Sequence, residues 1–279
     1  MDYTPRVAAV HDLSGFGRCA LTVALPVLAA MGAQCCPLPT AYLSAHTGFP
    51  PSRHAVFTDL TGGMAGTVAH WQELNVTFHA VYSGFLGSAE QIGALESLIH
   101  AFRAPDTLVL VDPVMGDHGK LYRTYTAEMC KRMAVLVKQA GLITPNLTEA
   151  AILLGEDYDP APTPQKVDAW LERLSGNGVR SVALTGVSRT PGWVGCASYD
   201  AEQNSLAFCD APVVEGVFSG TGDLFASVLL GARLRGEPLP QAAETAVSFV
   251  QRCAAHTAAA GLDPIMGPNF EPFLKELMQ

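Results

Sequence analysis

The sequence is poor in charged residues and has no basic excess. Only 15% of its 279 residues are charged, and the formal net charge is -9. Non-specific binding to nucleic acid or to an anionic membrane surface requires a basic protein surface, so we expect neither partner. A ligand that carries phosphate must therefore be held by a local site.

The chain also lacks a long uninterrupted apolar segment. The charge-free stretch from Cys19 to Ser52 is broken by prolines such as Pro26 and Pro37, so it predicts buried elements and not a membrane span. Residues 1–6 lack the positive-then-apolar order of a signal peptide. We expect a cytoplasmic protein.

Disulfide and metal spacings are missing as well. The seven cysteines are scattered, and Cys35 and Cys36 are adjacent, which indicates reduced, buried thiols in a cytosolic compartment. There is no internal repeat, charge block or low-complexity linker. We therefore predict one domain over residues 1–279.

Short apolar runs alternate with helical patterns along the chain, which is typical of an α/β protein with a mainly parallel sheet. The predicted strands are residues 6–10, 33–38, 81–84, 107–112, 141–143 and 181–186, with an antiparallel hairpin of 195–199 and 205–209. The predicted helices include 21–31, 147–154, 164–175, 221–234, 239–260 and 270–277. Residues 40–51 are predicted as a polar, aromatic loop.

The turn after the first strand does not match the dinucleotide fingerprint, because Gly15 and Gly17 lack a third glycine. It does place Asp12 and Ser14 at the carboxyl end of a parallel strand, where open α/β sheets bind ligands. In the loop that follows the second strand, His46 is either a satisfied loop histidine or part of a pocket wall.

The sequence GTGD at residues 220–223 opens an apolar helix. The first N–H groups of a helix lack intrahelical acceptors and lie at the positive end of its dipole, so Gly220 and Gly222 let the backbone approach a phosphate. Asp223 is the candidate base that removes a proton from an attacking hydroxyl. The alternative is an ordinary turn with an acidic first helical turn.

Two further motifs carry carboxylates. Asp112 and Asp117 follow the clearest strand, a position suited to Mg²⁺ shared with substrate phosphates, or simply to a turn with a capping aspartate. Asn146 is a good N-cap, and Glu149 stands at the third helical position of a capping box. Glu149 is either structural or faces the metal region.

Taken in order, these pieces resemble the ribokinase-like superfamily of small-molecule kinases and, within it, the pyridoxal kinases. The resemblance covers nearly the whole chain. The motifs that carry it are SAHTGF at 44–49, SGFLGSAEQ at 83–91, DPVMGD at 112–117, TPNLTE at 144–149 and GTGD at 220–223. It implies a three-layer sandwich in which a mostly parallel sheet lies between helices.

The resemblance also implies residue roles. Asp223 is the base, and Gly220, Thr221 and Gly222 form the anion hole. Residues assigned to ATP are Asp112, Asp117, Tyr122, Thr144, Asn146, Glu149 and Thr185, with Asp112 and Glu149 near Mg²⁺. Residues assigned to the ring substrate are Asp12, Ser14, His46, Thr47 and Phe85. An activating K⁺ or Na⁺ and a homodimer are further implications.

Two departures bear on the substrate. Pyridoxal kinases usually have serine where this chain has Asp12, and tyrosine where it has Phe85. The leading function is therefore ATP-dependent phosphorylation of a hydroxymethyl group on a small heteroaromatic ring, as in pyridoxal, pyridoxine or pyridoxamine. Hydroxymethylpyrimidine is the nearest rival substrate. A non-catalytic ligand-binding relative is a third alternative, disfavoured by the retained Asp223, and a sugar kinase is disfavoured by the lack of an extra β lid.

Overall fold

A computed structural model describes residues 4–176 and 178–278. Residues 1–3, which belong to the segment considered for a signal peptide, lie outside the described residues. The strands are β1 Arg6–Ser14, β2 Gln34–Leu43, β3 Phe57–Asp59, β4 Ala80–Ser83, β5 Leu108–Val111, β6 Gly116–Asp117, β7 Lys120–Leu121, β8 Leu142–Ile143, β9 Ser181–Val187, β10 Trp193–Asp200 and β11 Ser205–Pro212. The α-helices are α1 Leu21–Ala30, α2 Thr61–Glu73, α3 Ala89–Phe102, α4 Ala127–Leu136, α5 Leu147–Leu154, α6 Pro164–Ser175, α7 Thr221–Leu234 and α8 Leu239–Ala259.

The main sheet has nine strands in the order β11-β10-β9-β8-β5-β4-β1-β2-β3. Its centre, from β9 to β2, is parallel, whereas β3 at one edge and the β10–β11 hairpin at the other are antiparallel. Strands β6 and β7 pair separately as a small antiparallel ribbon. The predicted α/β class, mostly parallel sheet and edge hairpin are confirmed.

Helices cover both faces of the sheet. Alternate side chains of each strand point to opposite faces, so one strand can contribute apolar residues to both layers. In β5, Val109 and Val111 join the hydrophobic cluster that contains α2 to α6, while Leu110 joins the cluster of α1, α7 and α8. This gives the three layers that the resemblance implies. Among the described residues, no helix is long and apolar enough to cross a membrane.

Two local predictions need correction. Strand β2 runs on to Leu43 because it pairs with β1 and with β3, so the start of the predicted 40–51 loop is extended strand. The C-terminal helical segment is a 3₁₀ helix over Glu271–Met278, not an α-helix. At its start the Phe273 N–H donates to the Phe270 carbonyl, three residues back.

Candidate active site

The site lies at the carboxyl edge of the parallel strands, where polar residues follow buried apolar ones. Asp12 near the end of β1 and Asp112 just after β5 are both buried. Ser14, the last residue of β1, donates a hydrogen bond from its hydroxyl to Oδ2 of Asp12 at 2.8 Å. This is the edge at which open α/β sheets bind their ligands.

Helix α7 begins at this edge. Its N-cap, Gly220, has a left-handed backbone with φ of 75°, a conformation that favours glycine. A Cβ built on Gly222 would lie 3.9 Å from Oδ2 of Asp112, so the first turn of α7 faces that carboxylate. The first N–H groups of a helix lack intrahelical acceptors, so this turn offers hydrogen-bond donors directly beside an acidic group.

Asp223 stands in the first turn of α7, and its side chain is only 17% exposed. Burial raises the pKa of Asp223 to about 7, a hydrogen bond with the Ala20 backbone opposes the shift, and the charge of Asp12 adds to it. Ala20 has φ of 50° and ψ of -129°, which is uncommon for a residue with a Cβ. The carboxylate is therefore largely desolvated and has a pKa near neutrality, which suits a general base.

Glu149 and Asp112 form a second acidic pair. The Oε1 atom of Glu149 accepts from the Met115 N–H at 3.0 Å, and Oε2 accepts from the Asn146 N–H at 2.9 Å. Burial raises the pKa of Glu149 to about 7. Burial, then the charges of Glu149 and Asp223, raise the pKa of Asp112 well above its ordinary value. A cation near Asp112 would offset this concentration of negative charge.

The capping box predicted at the start of α5 is present. Oδ1 of Asn146 accepts from the Glu149 N–H at 3.0 Å, while its amide nitrogen donates to the Gly116 carbonyl at 2.8 Å. Thr185 on β9 lies next to this turn, and its hydroxyl reaches the Pro145 carbonyl at 3.4 Å. The asparagine thereby joins α5 to the β6–β7 ribbon, which carries Asp117.

Three more of the residues predicted to contact ATP lie around this turn. The buried Thr144 side chain lies beside Asp112, and its hydroxyl opposes the rise that burial causes in the pKa of that carboxyl. Asp117 is about half exposed. Tyr122 is 40% exposed, and its partial burial and then the charges of Glu149, Asp117, Asp112 and Asp223 raise its pKa.

The residues predicted for the ring pocket differ from one another in burial and in their contacts. His46 is buried, with Nε2 at 2.8 Å from the Ile265 carbonyl and Nδ1 accepting from the Gly48 N–H at 3.2 Å. Both ring nitrogens are thus used by the backbone, as in a satisfied loop histidine, and only the ring face can meet a ligand. Thr47 is exposed, and Phe85 is half-buried against the cluster of α2 to α6.

Sequence reasoning missed three buried side chains at this site: His11, Cys19 and Tyr125. Burial and the charges of Asp223 and Asp12 raise the pKa of the Cys19 thiol, so this cysteine is protonated beside the base. The Tyr125 hydroxyl is buried without a hydrogen-bond partner among the described residues. His11 immediately precedes Asp12 in β1, and that adjacency is the one sequence signal that could have indicated it.

No group of three or more His, Cys, Asp or Glu side chains in the described residues could by itself hold a metal ion. A divalent cation at Asp112 would need phosphate oxygens and water to complete its shell, which is the usual arrangement for Mg²⁺ in phosphoryl transfer. A carboxylate with a pKa near neutrality, a glycine-bounded helix start and a second pair of carboxylates at one edge of the sheet suit transfer of a phosphoryl group to a small alcohol. Fold and site together define a small-molecule kinase of the ribokinase-like class.

Comparison with known proteins narrows this class. The profile of the phosphomethylpyrimidine kinase family matches residues 67–268. The pyridoxine/pyridoxal/pyridoxamine kinase of Bordetella avium is 31% identical, and the alignment covers 98% of this chain and 92% of that protein. The chain therefore belongs to the phosphomethylpyrimidine kinase family and, within it, to the pyridoxal kinases.

Two solved structures are similar over nearly all of the chain. A protein of Bacteroides thetaiotaomicron, provisionally assigned as a phosphomethylpyrimidine kinase and crystallised with pyridoxal, has a TM-score of 0.94 and 39% identity and covers 99% of this chain and 96% of its own. Pyridoxal kinase from Lactobacillus plantarum has a TM-score of 0.90 and 30% identity, with coverages of 99% and 97%.

Proposed function

We propose that this protein transfers the γ-phosphoryl group of ATP to the 5'-hydroxymethyl group of pyridoxal, pyridoxine or pyridoxamine. The observation that carries the proposal is the partly buried Asp223 carboxylate, with its pKa raised to about 7, in the first turn of α7 beside Gly220 and Gly222. The pyridoxal in the Bacteroides relative and the activity named for the Bordetella relative support a pyridine ring as substrate.

In this proposal Asp223 accepts the proton of the hydroxymethyl group as that oxygen attacks phosphorus. The N–H groups at Gly220, Thr221 and Gly222 stabilise negative charge on the transferred phosphoryl oxygens, because they belong to the fixed N-terminal end of α7. The ring packs between Asp12 and Ser14 on one side and the residues 46–47 loop and Phe85 on the other.

The residues present fit a divalent cation shared with ATP. Asp112 has the stronger case as a direct ligand, because both Glu149 oxygens already accept backbone hydrogen bonds. Glu149 acts on the cation mainly through its charge. When bound, Mg²⁺ supplies positive charge to the terminal phosphates. Thr144 and Asn146 follow β8, Thr185 lies in β9, and Asp117 and Tyr122 lie in and just after the β6–β7 ribbon; in this proposal all five contact the nucleotide.

A pyrimidine substrate is the second candidate, and one observation favours it: the matching family profile is that of phosphomethylpyrimidine kinase. The test is steady-state kinetics on the three vitamers and on hydroxymethylpyrimidine, with MgATP. We expect the highest kcat/KM on a vitamer. A clear preference for the pyrimidine would change the assigned substrate but not the assignment of the protein as a kinase.

Three further features belong to the proposal. We place the enzyme in the cytoplasm, where the seven free cysteines would stay reduced. We expect a homodimer, as the resemblance to pyridoxal kinases implies. A K⁺ or Na⁺ dependence is testable by replacing the monovalent salt in the assay, and light scattering measures the dimer.

A further inference from the structure

His11 lies in the middle of the site yet has no assigned task. Its side chain is fully buried in β1, and neither ring nitrogen has a hydrogen-bond partner among the described residues. Buried polar atoms in folded proteins are almost always paired, because leaving them unpaired is costly. The two nitrogens therefore point to a partner that is reached only when the site is filled.

The carboxylate of Asp223, the base of the proposed function, lies close to this ring. His11 Nδ1 is 4.0 Å from Oδ1 of Asp223, about 1 Å longer than a hydrogen bond. Hydrogen bonds in active sites are often long before substrate binds and shorten in the complex. A small closing movement of α7 toward β1 is therefore sufficient to make the bond.

The ring is held in this orientation from two sides. It packs edge-on against Tyr82 with the ring centroids 4.2 Å apart, and Tyr82 itself donates to the Asp223 backbone carbonyl at 3.4 Å. A Cβ at Gly84 would lie 2.3 Å from His11 Nδ1, so glycine at this position is what admits the ring. The imidazole cannot turn away without rebuilding this contact.

The charge of the ring is also defined. Burial lowers the pKa of His11 to about 3, so the imidazole is neutral at any working pH and carries one N–H and one lone pair. Because an ionised Asp223 only accepts hydrogen bonds, the favoured tautomer places the proton on Nδ1. Asp12 and Asp112, at the ends of β1 and β5, add negative charge around the carboxylate that this donor would offset.

We propose that His11 is a positioning residue for the base: with both substrates bound, its Nδ1–H donates to Oδ1 of Asp223 and leaves Oδ2 directed at the acceptor hydroxyl. This inference rests on the proposed function, in which Asp223 is the base. His11 acts through Asp223 and takes no proton itself.

Three variants separate this role from packing. His11→Asn keeps an amide donor near the Nδ1 position, His11→Gln moves the donor toward the Nε2 position, and His11→Leu keeps volume without a donor. We expect His11→Leu and His11→Gln to lower kcat about ten- to a hundredfold while KM for ATP and pyridoxal changes little, and His11→Asn to recover most of kcat. Parental kcat in His11→Leu, or equal losses in all three folded variants, would overturn the proposal.

A spectroscopic readout does not depend on turnover. In ¹⁵N-histidine NMR of the parent with pyridoxal and a non-hydrolysable ATP analogue, the His11 signal should show the Nδ1-protonated tautomer and should move in Asp223→Asn. The signal is assigned by its loss in any folded His11 variant. An Nε2-protonated His11 whose ¹⁵N signal does not change in Asp223→Asn would contradict the inference. A parent that phosphorylates no vitamer would instead refute the proposed function.

Discussion

The backbone carbonyl of Arg18 occupies the space that a side chain at Gly220 would need. A Cβ built on Gly220 would lie 2.0 Å from that oxygen, and the residue has φ of 75°. The start of α7 is thus fixed against the loop that follows β1, although the two segments are far apart in sequence. This contact positions the anion-binding N–H groups over the same edge of the sheet as Asp12.

We predict that Gly220→Ala abolishes turnover, because a backbone atom and not a flexible side chain blocks the added methyl group. The matched control is Gly236→Ala, just after the same helix: its φ is 86° but nothing lies within 4 Å of the added atom. The control should lose about 1 kcal/mol of stability and keep its activity. Equal activities of the two variants would show that the close approach has no role in catalysis.

We predict that Asp223→Asn stabilises the ligand-free protein at alkaline pH. The folded pKa of Asp223, about 7, lies above its unfolded value, so stability falls as pH rises from about 4 through 7. Removing the ionisation should raise the free energy of unfolding by about 1–3 kcal/mol at pH 8 and by less at pH 5. Denaturant titrations at the two pH values measure this. A stability difference that does not grow with pH would contradict the raised pKa.

We predict different consequences for the two acids near the metal. Asp112→Asn should raise the Mg²⁺ concentration needed for half-maximal activity, because it removes the direct ligand. Glu149→Gln should affect metal less and stability more, by about 1 kcal/mol, since Glu149 holds two backbone N–H groups. The control is Asp106→Asn, an exposed acid ahead of the same strand, β5. Unchanged metal titrations in both test variants would contradict a role in metal binding and would show that these acids are structural.

We predict that Asp12→Ser shifts vitamer preference toward pyridoxal. A buried carboxylate beside the ring favours a donor, either the protonated ring nitrogen or the aminomethyl group of pyridoxamine. The parent should therefore use pyridoxamine or pyridoxine at least as well as pyridoxal. The measurement is kcat/KM for the three vitamers in parent and variant. An unchanged order of vitamer preference would contradict the assignment of Asp12 to the ring pocket.

Elements whose limits are set by local chemistry could be predicted from the sequence. The bounds of α5, α6 and α7 match the predicted 147–154, 164–175 and 221–234 because caps and glycine stops define their ends. Helix α2 could not be predicted, since Gly62, Gly63 and Gly66 each disfavour a helix by about 1 kcal/mol. Burial of Met64 and Val68 holds it instead.

The site residues show the same difference between what local sequence predicts and what only tertiary packing determines. The motif residues were predicted because their chemistry is visible in short segments such as 220–223. The bonding state of His46 depends on Ile265, which lies far away along the chain. The burial of His11 depends on Tyr82 in β4 and on Gly84, which directly follows that strand. Such facts come from tertiary packing alone. The individual roles of the site residues stay predictions until the variants are measured.

The most direct test of the account is single-turnover phosphorylation of pyridoxal by Asp223→Asn, with ATP and pyridoxal binding measured by calorimetry on the same sample. The amide preserves size but cannot accept the hydroxyl proton, so we expect both ligands to bind while the chemical step slows about a hundredfold to ten-thousandfold. A near-parental rate of that step in the variant would contradict the assignment of Asp223 as the base.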